Sequence, residues 1–168
     1  TLSPSMDILI SSNLERLLFA LTGQDDGQVK SYMAQLGRTG QYHVGEKLKD
    51  KLARVFSAGY CDDAQTKAVI GRMWKEHRYL IDPHTAVAFD VLDQYRRETG
   101  DETPTLVVST ASPFKFCDSV LEALGENRLA QGTELIDQLS QVTGVPAPAP
   151  LAALKDKTVR FTQSTEKE

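Results

Sequence analysis

Three short blocks hold the residues whose types and spacing suit chemistry. Ser109-Thr110-Ala111-Ser112-Pro113-Phe114-Lys115-Phe116 follows directly on the apolar run Leu106-Val107-Val108. Hydroxyl side chains thus stand with backbone N–H groups at the end of an expected strand, where open α/β sheets bind their ligands. Asp82-Pro83-His84-Thr85-Ala86 joins a carboxylate N-cap, a proline suited to the first helical position and an imidazole in the first turn. That turn offers unpaired N–H donors and a partial positive charge. Ser3-Pro4-Ser5-Met6-Asp7-Ile8, followed by Ser12-Asn13-Leu14-Glu15-Arg16, brings Asn13 and Arg16 into one turn. Arginine suits bidentate binding of an oxyanion. On residue types alone each block has a plainer reading too. Ser109 and Thr110 also fit a simple strand-to-helix turn, Asp82 and His84 a stabilised helix start, Asn13 an N-cap and Arg16 a surface pair.

Helices must carry most of these groups. Leu14, Leu17, Leu18 and Leu21 form an i, i+3, i+4, i+7 stripe, with Asn13 as cap and Gly23 at the exit. A second helix opens at Asp25-Asp26 and buries Val29, Tyr32, Met33 and Leu36, and Gly37-Arg38-Thr39-Gly40 is expected to be a loop. A charge-rich helix runs through Leu48, Leu52 and Val55. Ser57-Ala58-Gly59 breaks the pattern, and Asp62 or Asp63 caps a helix with Ala64, Ala68 and Met73 inward. Trp74 reads as a packing anchor. Tyr79-Leu80-Ile81 is an apolar stretch suited to a short strand. The helix begun at Asp82-Pro83 continues through Val87, Val91, Leu92 and Tyr95 to Gly100. Thr105 to Val108 is the clearest strand, apolar enough to be buried on both faces. Ser112-Pro113 opens a helix with Phe116, Val120 and Leu124 inward, and Thr133 to Val142 forms another. Pro146-Ala147-Pro148-Ala149-Pro150 is an extended connector before a packed arm ending at Phe161.

The 168 residues are 40% hydrophobic and 25% charged, the composition of a globular protein with a real core. A net charge of −4, from 19 basic and 23 acidic residues, argues against a nucleic-acid or anionic-membrane partner. No apolar run approaches the roughly 20 residues that span a bilayer, and Thr1-Leu2-Ser3-Pro4 has no leader character. Cys61 and Cys117 lack the spacing of a disulfide framework or zinc site. His43, His77 and His84 are dispersed, so no metal is expected. Free thiols point to a reducing compartment, the cytoplasm. Gly37 to Gly40 lacks the strand–loop–helix setting of a phosphate-cradling loop.

In their order, the three blocks resemble the C-terminal part of threonine synthase, a pyridoxal-phosphate enzyme of fold type II (tryptophan synthase β-like). The likeness runs from Ser3 to about Phe161. It implies an α/β fold of which this chain is the helix-rich C-terminal part, with its sheet incomplete. Residues 1–161 would form that part of the cofactor-binding region, and residues 162–168 a disordered tail. The matching block in the family reads S-T-A-H-P-x-K-F, and its threonine contacts the pyridine ring nitrogen. That role falls on Thr110, with Ser109 shaping the pocket. His84 would position the substrate or a water, and Asn13 and Arg16 would orient a phosphorylated substrate. Ser112 stands where many members have histidine, and Phe114 where a small residue is usual, so no role of that histidine carries over. Lys115 matches the block's lysine, but the family's Schiff-base lysine belongs to an upstream segment outside this chain.

The resemblance implies conversion of O-phospho-L-homoserine and water to L-threonine and phosphate by the longer parent enzyme. The chain alone is expected to be inactive without the remainder of the polypeptide. Two alternatives stand beside it: a threonine-synthase-like phospho-lyase, and a non-catalytic helical binding module.

Overall fold

The computed structural model describes residues 1–8 and 10–166. They form helices and irregular connections, with no strand among them. The helix-rich reading, with the sheet left incomplete, therefore holds. The chain divides into two compact units: Pro4–Gly59, and Thr1–Ser3 together with the chain from Tyr60 onward.

In the first unit, α1 spans Ser12–Leu21, α2 Asp26–Thr39 and α3 Glu46–Ala53. The cap of α1 is Ser11, whose hydroxyl accepts from the Leu14 N–H at 3.4 Å. Asn13 lies inside the first turn instead, because Ser11 supplies the extended backbone that a cap needs. Asp25 caps α2. That helix continues through the expected loop at Gly37 and stops at Gly40, whose φ of 72° is left-handed. Leu18, Val29, Tyr32 and Leu48 form the core, with Tyr32 stacked on Tyr42. Val55 falls beyond α3 and is exposed.

In the second unit, α4 spans Asp63–His77, α5 Pro83–Thr99, α6 Cys117–Ala123 and α7 Glu134–Thr143. A short α8, Ala149–Ala152, runs into a 3-10 turn at Ala153–Asp156. Asp62 and Gln65 close a reciprocal capping box at the start of α4. The buried face of α4 is Thr66, Val69 and Ile70, not the expected Ala64 and Ala68, which are exposed. Thr66 can turn inward because its hydroxyl donates to the Asp62 carbonyl at 2.8 Å. Helix α4 packs on α5 and α6, and α6 on α7. At Gly71 a Cβ would come within 2.8 Å of the Ala123 carbonyl oxygen, so the α4–α6 crossing demands glycine. Val69, Ile70, Ile81, Val120, Leu121 and Leu139 lie at the centre of this core.

Tyr79-Leu80-Ile81 is irregular, with Ile81 buried and Tyr79 exposed. Thr105 to Val108 has no regular structure, and Leu106 and Val108 are 88% and 67% exposed. The burial expected on both faces is absent because a strand needs partners, and the described residues supply none. Ser112-Pro113 opens a 3-10 turn, Pro113–Lys115, rather than α6 itself. Residues 162–166 are irregular and exposed; residues 167 and 168 of the expected tail lie outside the described residues.

Candidate functional site

Two of the three blocks meet where α5 begins. Asp82 is fully buried, and its Oδ1 accepts from the His84 backbone N–H at 2.9 Å. This is the cap that Asp-Pro predicts, so the His84 N–H is not open to a ligand. The same oxygen lies 3.0 Å from His84 Nδ1. Oδ2 accepts from the Thr85 hydroxyl in a short contact. Across 24 positions of sequence, the Thr85 and Ser109 hydroxyls hydrogen-bond at 3.0 Å. A polar chain thus runs from a carboxylate in the interior to a hydroxyl on the exposed side.

His84 is buried to more than nine-tenths, and its ring lies 5.0 Å from that of Phe116. Asp82 fixes the imidazole: in the neutral ring, Nδ1 carries the proton toward the carboxylate and Nε2 keeps a lone pair. Thr110, next to Ser109, is exposed, and no hydrogen bond among the described residues engages its hydroxyl. Ser112 caps the 3-10 turn, accepting from the Phe114 N–H at 3.3 Å. Lys115 ends that turn, exposed, with its ammonium 6.0 Å from the centre of the Phe116 ring. On the far side of the exposed segment, Asp101 takes the Thr103 N–H at 2.9 Å, the Thr103 hydroxyl at 2.6 Å and the Tyr95 hydroxyl at 2.9 Å. Thr103, ahead of Tyr95, holds the Asp101 carboxyl below the usual range.

The third block lies in the other unit and is described by itself. Asn13 Oδ1 accepts from Arg16 Nη2. Arg16 lines an open groove of about 520 Å³ between α1 and α2, with Glu15, Phe19, Lys30 and Met33. Lys30 is paired with Asp26 at 3.0 Å, whereas Arg16 is held by the neutral Asn13 amide.

The sequence places Thr85 beside His84 in the first turn of the helix but does not show what its hydroxyl engages. The signal for it was local: a threonine three positions after an N-cap aspartate can return its hydroxyl to the cap. Its contact with Ser109 had no local signal. The donor set suits a pyridine ring better at Thr110 than at a carboxylate. Asp82 is buried with both oxygens in use, while the Thr110 hydroxyl is neutral and open.

The helical frame is that of the C-terminal part of pyridoxal-phosphate-dependent threonine synthases. The structure of a PLP-bound threonine synthase from Brucella melitensis superposes with a TM-score of 0.74 at 36% identity, over 96% of this chain and 31% of that one. Yeast threonine synthase gives 0.64 at 29%, over 84% and 31%. The family described as "Threonine synthase, C-terminal" matches residues 85–168, and this chain belongs to it. Threonine synthase of Corynebacterium glutamicum is 37% identical over 129 residues, 75% of this chain and 26% of that protein. Threonine synthase-like 1 of Mus musculus is 34% identical over 160 residues, 94% and 21%. The chain therefore spans about a fifth to a quarter of these curated relatives. No helix among the described residues is long and apolar enough to cross a membrane.

Proposed function

We propose that this chain is the C-terminal part of a threonine synthase, acting in a longer cytoplasmic polypeptide on O-phospho-L-homoserine and water to give L-threonine and phosphate. When bound, pyridoxal phosphate supplies the electron sink for elimination and addition at the substrate carbons. The remaining work belongs to protein side chains. The Thr110 hydroxyl donates to the ring nitrogen; a neutral partner there keeps the ring less charged than a carboxylate would. Ser109 shapes the adjacent wall. His84, its imidazole fixed by Asp82, orients the substrate or a water. Asn13 presents the Arg16 guanidinium to the substrate phosphate, where two parallel N–H donors match two oxygens. On this reading the Schiff-base lysine and most of the groups that hold the cofactor phosphate lie in polypeptide outside this chain.

One observation supports this reading above the rest. The Thr85–Ser109 hydrogen bond draws two separate blocks together beside the open Thr110 hydroxyl. The test is product analysis of the full-length protein loaded with pyridoxal phosphate and given phosphohomoserine. Threonine with equimolar phosphate supports the proposal. A keto acid would instead support a phospho-lyase, a reading favoured by the likeness to threonine synthase-like proteins. No cofactor binding at all would support a helical binding module. The chain alone is expected to be inactive, and a stoichiometric borohydride-stable adduct at one of its own lysines would refute that.

A further inference from the structure

A histidine ring is placed by two side-chain torsions, the second of which is only loosely restrained. A hydrogen bond to one ring nitrogen fixes a single distance and leaves one combination of the two torsions free. His84 has such a bond, from Nδ1 to Asp82 Oδ1 at 3.0 Å. It selects the tautomer, yet the ring can still pivot about the line joining the two atoms. A second surface against the ring removes that freedom. The Phe116 ring supplies one, with centroids 5.0 Å apart and planes inclined at 56°. That separation lies within the range that aromatic pairs favour. Phe116 is itself held. Its backbone N–H donates to the Pro113 carbonyl, and its own carbonyl accepts from the Val120 N–H, each at 3.0 Å. It thus joins the 3-10 turn to α6, with Phe114 and Cys117 buried on either side of it in sequence. Its half-buried ring packs against the main core. Asp82 is equally fixed, wholly buried and bonded to the His84 backbone N–H. Two anchored groups from separate blocks of sequence therefore contact one imidazole.

We infer that Phe116 is a positioning residue for His84: Asp82 selects the imidazole tautomer, and the Phe116 ring sets the plane of the imidazole and so the direction of its second nitrogen. The inference rests on the role of His84 proposed above, and it deepens it. A leucine at this position would fill much of the same space but has no flat surface, so the imidazole would regain its pivot while keeping its bond to Asp82. Asp82 and Phe116 thus divide the work, one through a hydrogen bond and the other through shape.

The first experiment uses the full-length protein without cofactor, isotopically labelled at histidine, with the His84 signal identified by its loss in His84→Asn. The His84 ring protons should show cross-relaxation with those of Phe116 in NMR spectra. Its absence in the unsubstituted protein would overturn the inference, whatever any variant does. In Phe116→Leu the ring nitrogens should keep the Nδ1-protonated pattern, since Asp82 remains, while the order parameter of the His84 ring carbons falls. A ring as rigid as before, or a switched tautomer, would also overturn it. The second experiment uses the full-length protein loaded with pyridoxal phosphate and given phosphohomoserine. Phe116→Leu should lower kcat about ten-fold with KM unchanged within about two-fold, the mark of a displaced group rather than of lost ground-state binding. His84→Asn keeps a donor for Asp82 and removes the second ring nitrogen. In that background, adding Phe116→Leu should lower kcat no further. A second loss of about ten-fold there would show that Phe116 acts independently of His84 and refute the assignment. A raised KM with unchanged kcat in Phe116→Leu would refute it as well. Should the full-length protein not turn over phosphohomoserine, the reading of the reaction fails, while relaxation of the His84 ring still decides whether Phe116 holds it.

Discussion

The start of α5 and the segment from Thr105 to Thr110 carry the two halves of the candidate site, and they are built in opposite ways. At Asp82–Ala86, polar groups lie in the interior and are satisfied there, by an N-cap bond, an imidazole contact and a hydroxyl bond. At Thr105–Val108, apolar side chains lie outside, with nothing packed over Leu106 or Val108 among the described residues. The first region is complete within this chain. The second is tied at both ends, at Asp101–Thr103 and at Thr85–Ser109, yet has no sheet to join. A buried polar cluster tolerates no missing partner, whereas an apolar strand can wait for one.

The largest expected effect tests the completeness of the first region. Asp82→Ala leaves buried donors without an acceptor and should lower stability by about 3 kcal/mol in urea unfolding. A loss under about 1 kcal/mol would mean that the cluster is not closed. Leu106→Ser sharpens the contrast. It should change the stability of the chain alone by less than about 0.5 kcal/mol, but cost about 2 kcal/mol in the full-length protein, where a sheet would bury the residue. Equal small effects in both would break the comparison. Gly71→Ala should cost about 2 kcal/mol despite alanine's better helix propensity, because the added methyl meets the Ala123 carbonyl at 2.8 Å.

A pH titration probes the interior next. Burial, ahead of the nearby Asp118 charge, pushes the Cys117 thiol up to about 11. The fold favours the neutral thiol, so stability is intact below the ordinary thiol pKa of roughly 8.5 and is lost as pH rises through that value toward about 11. The loss should reach about 2 kcal/mol in unfolding curves collected across that range. Native Cys117 should also resist thiol reagents at pH 8. The smallest effect falls on the exposed segment. Asp101 has a depressed pKa, so its contribution is present above the usual aspartate range and lost as pH falls through its lower folded value. Carboxyl-carbon NMR should find that midpoint below the ordinary one, and Thr103→Ala should raise it.

Legibility in the sequence followed the range of the interactions. Asp82-Pro83 and Gly100 marked both ends of α5, because capping is settled within one turn. The buried face of α4 was misjudged because alanines read as apolar, while Thr66 buries itself only by returning its hydroxyl to Asp62. Asn13 lost the cap to Ser11, two residues earlier, by a difference in backbone geometry that residue types do not reveal. Thr110 and Ser109 could be singled out by type and position, but their different engagement could not.

By itself, the amino-acid order determined the helix-rich character, the caps that start and stop most helices, and the three blocks that mark a threonine synthase C-terminal part. Each of these depends on groups within a few residues of one another, or on short patterns readable in a line. Tertiary structure alone decided that Thr85 reaches Ser109, that Gly71 lies against Ala123, and that the apolar run at Leu106 stays uncovered. Those outcomes depend on which distant surfaces meet, and burial and hydrogen-bond direction exist only once they do.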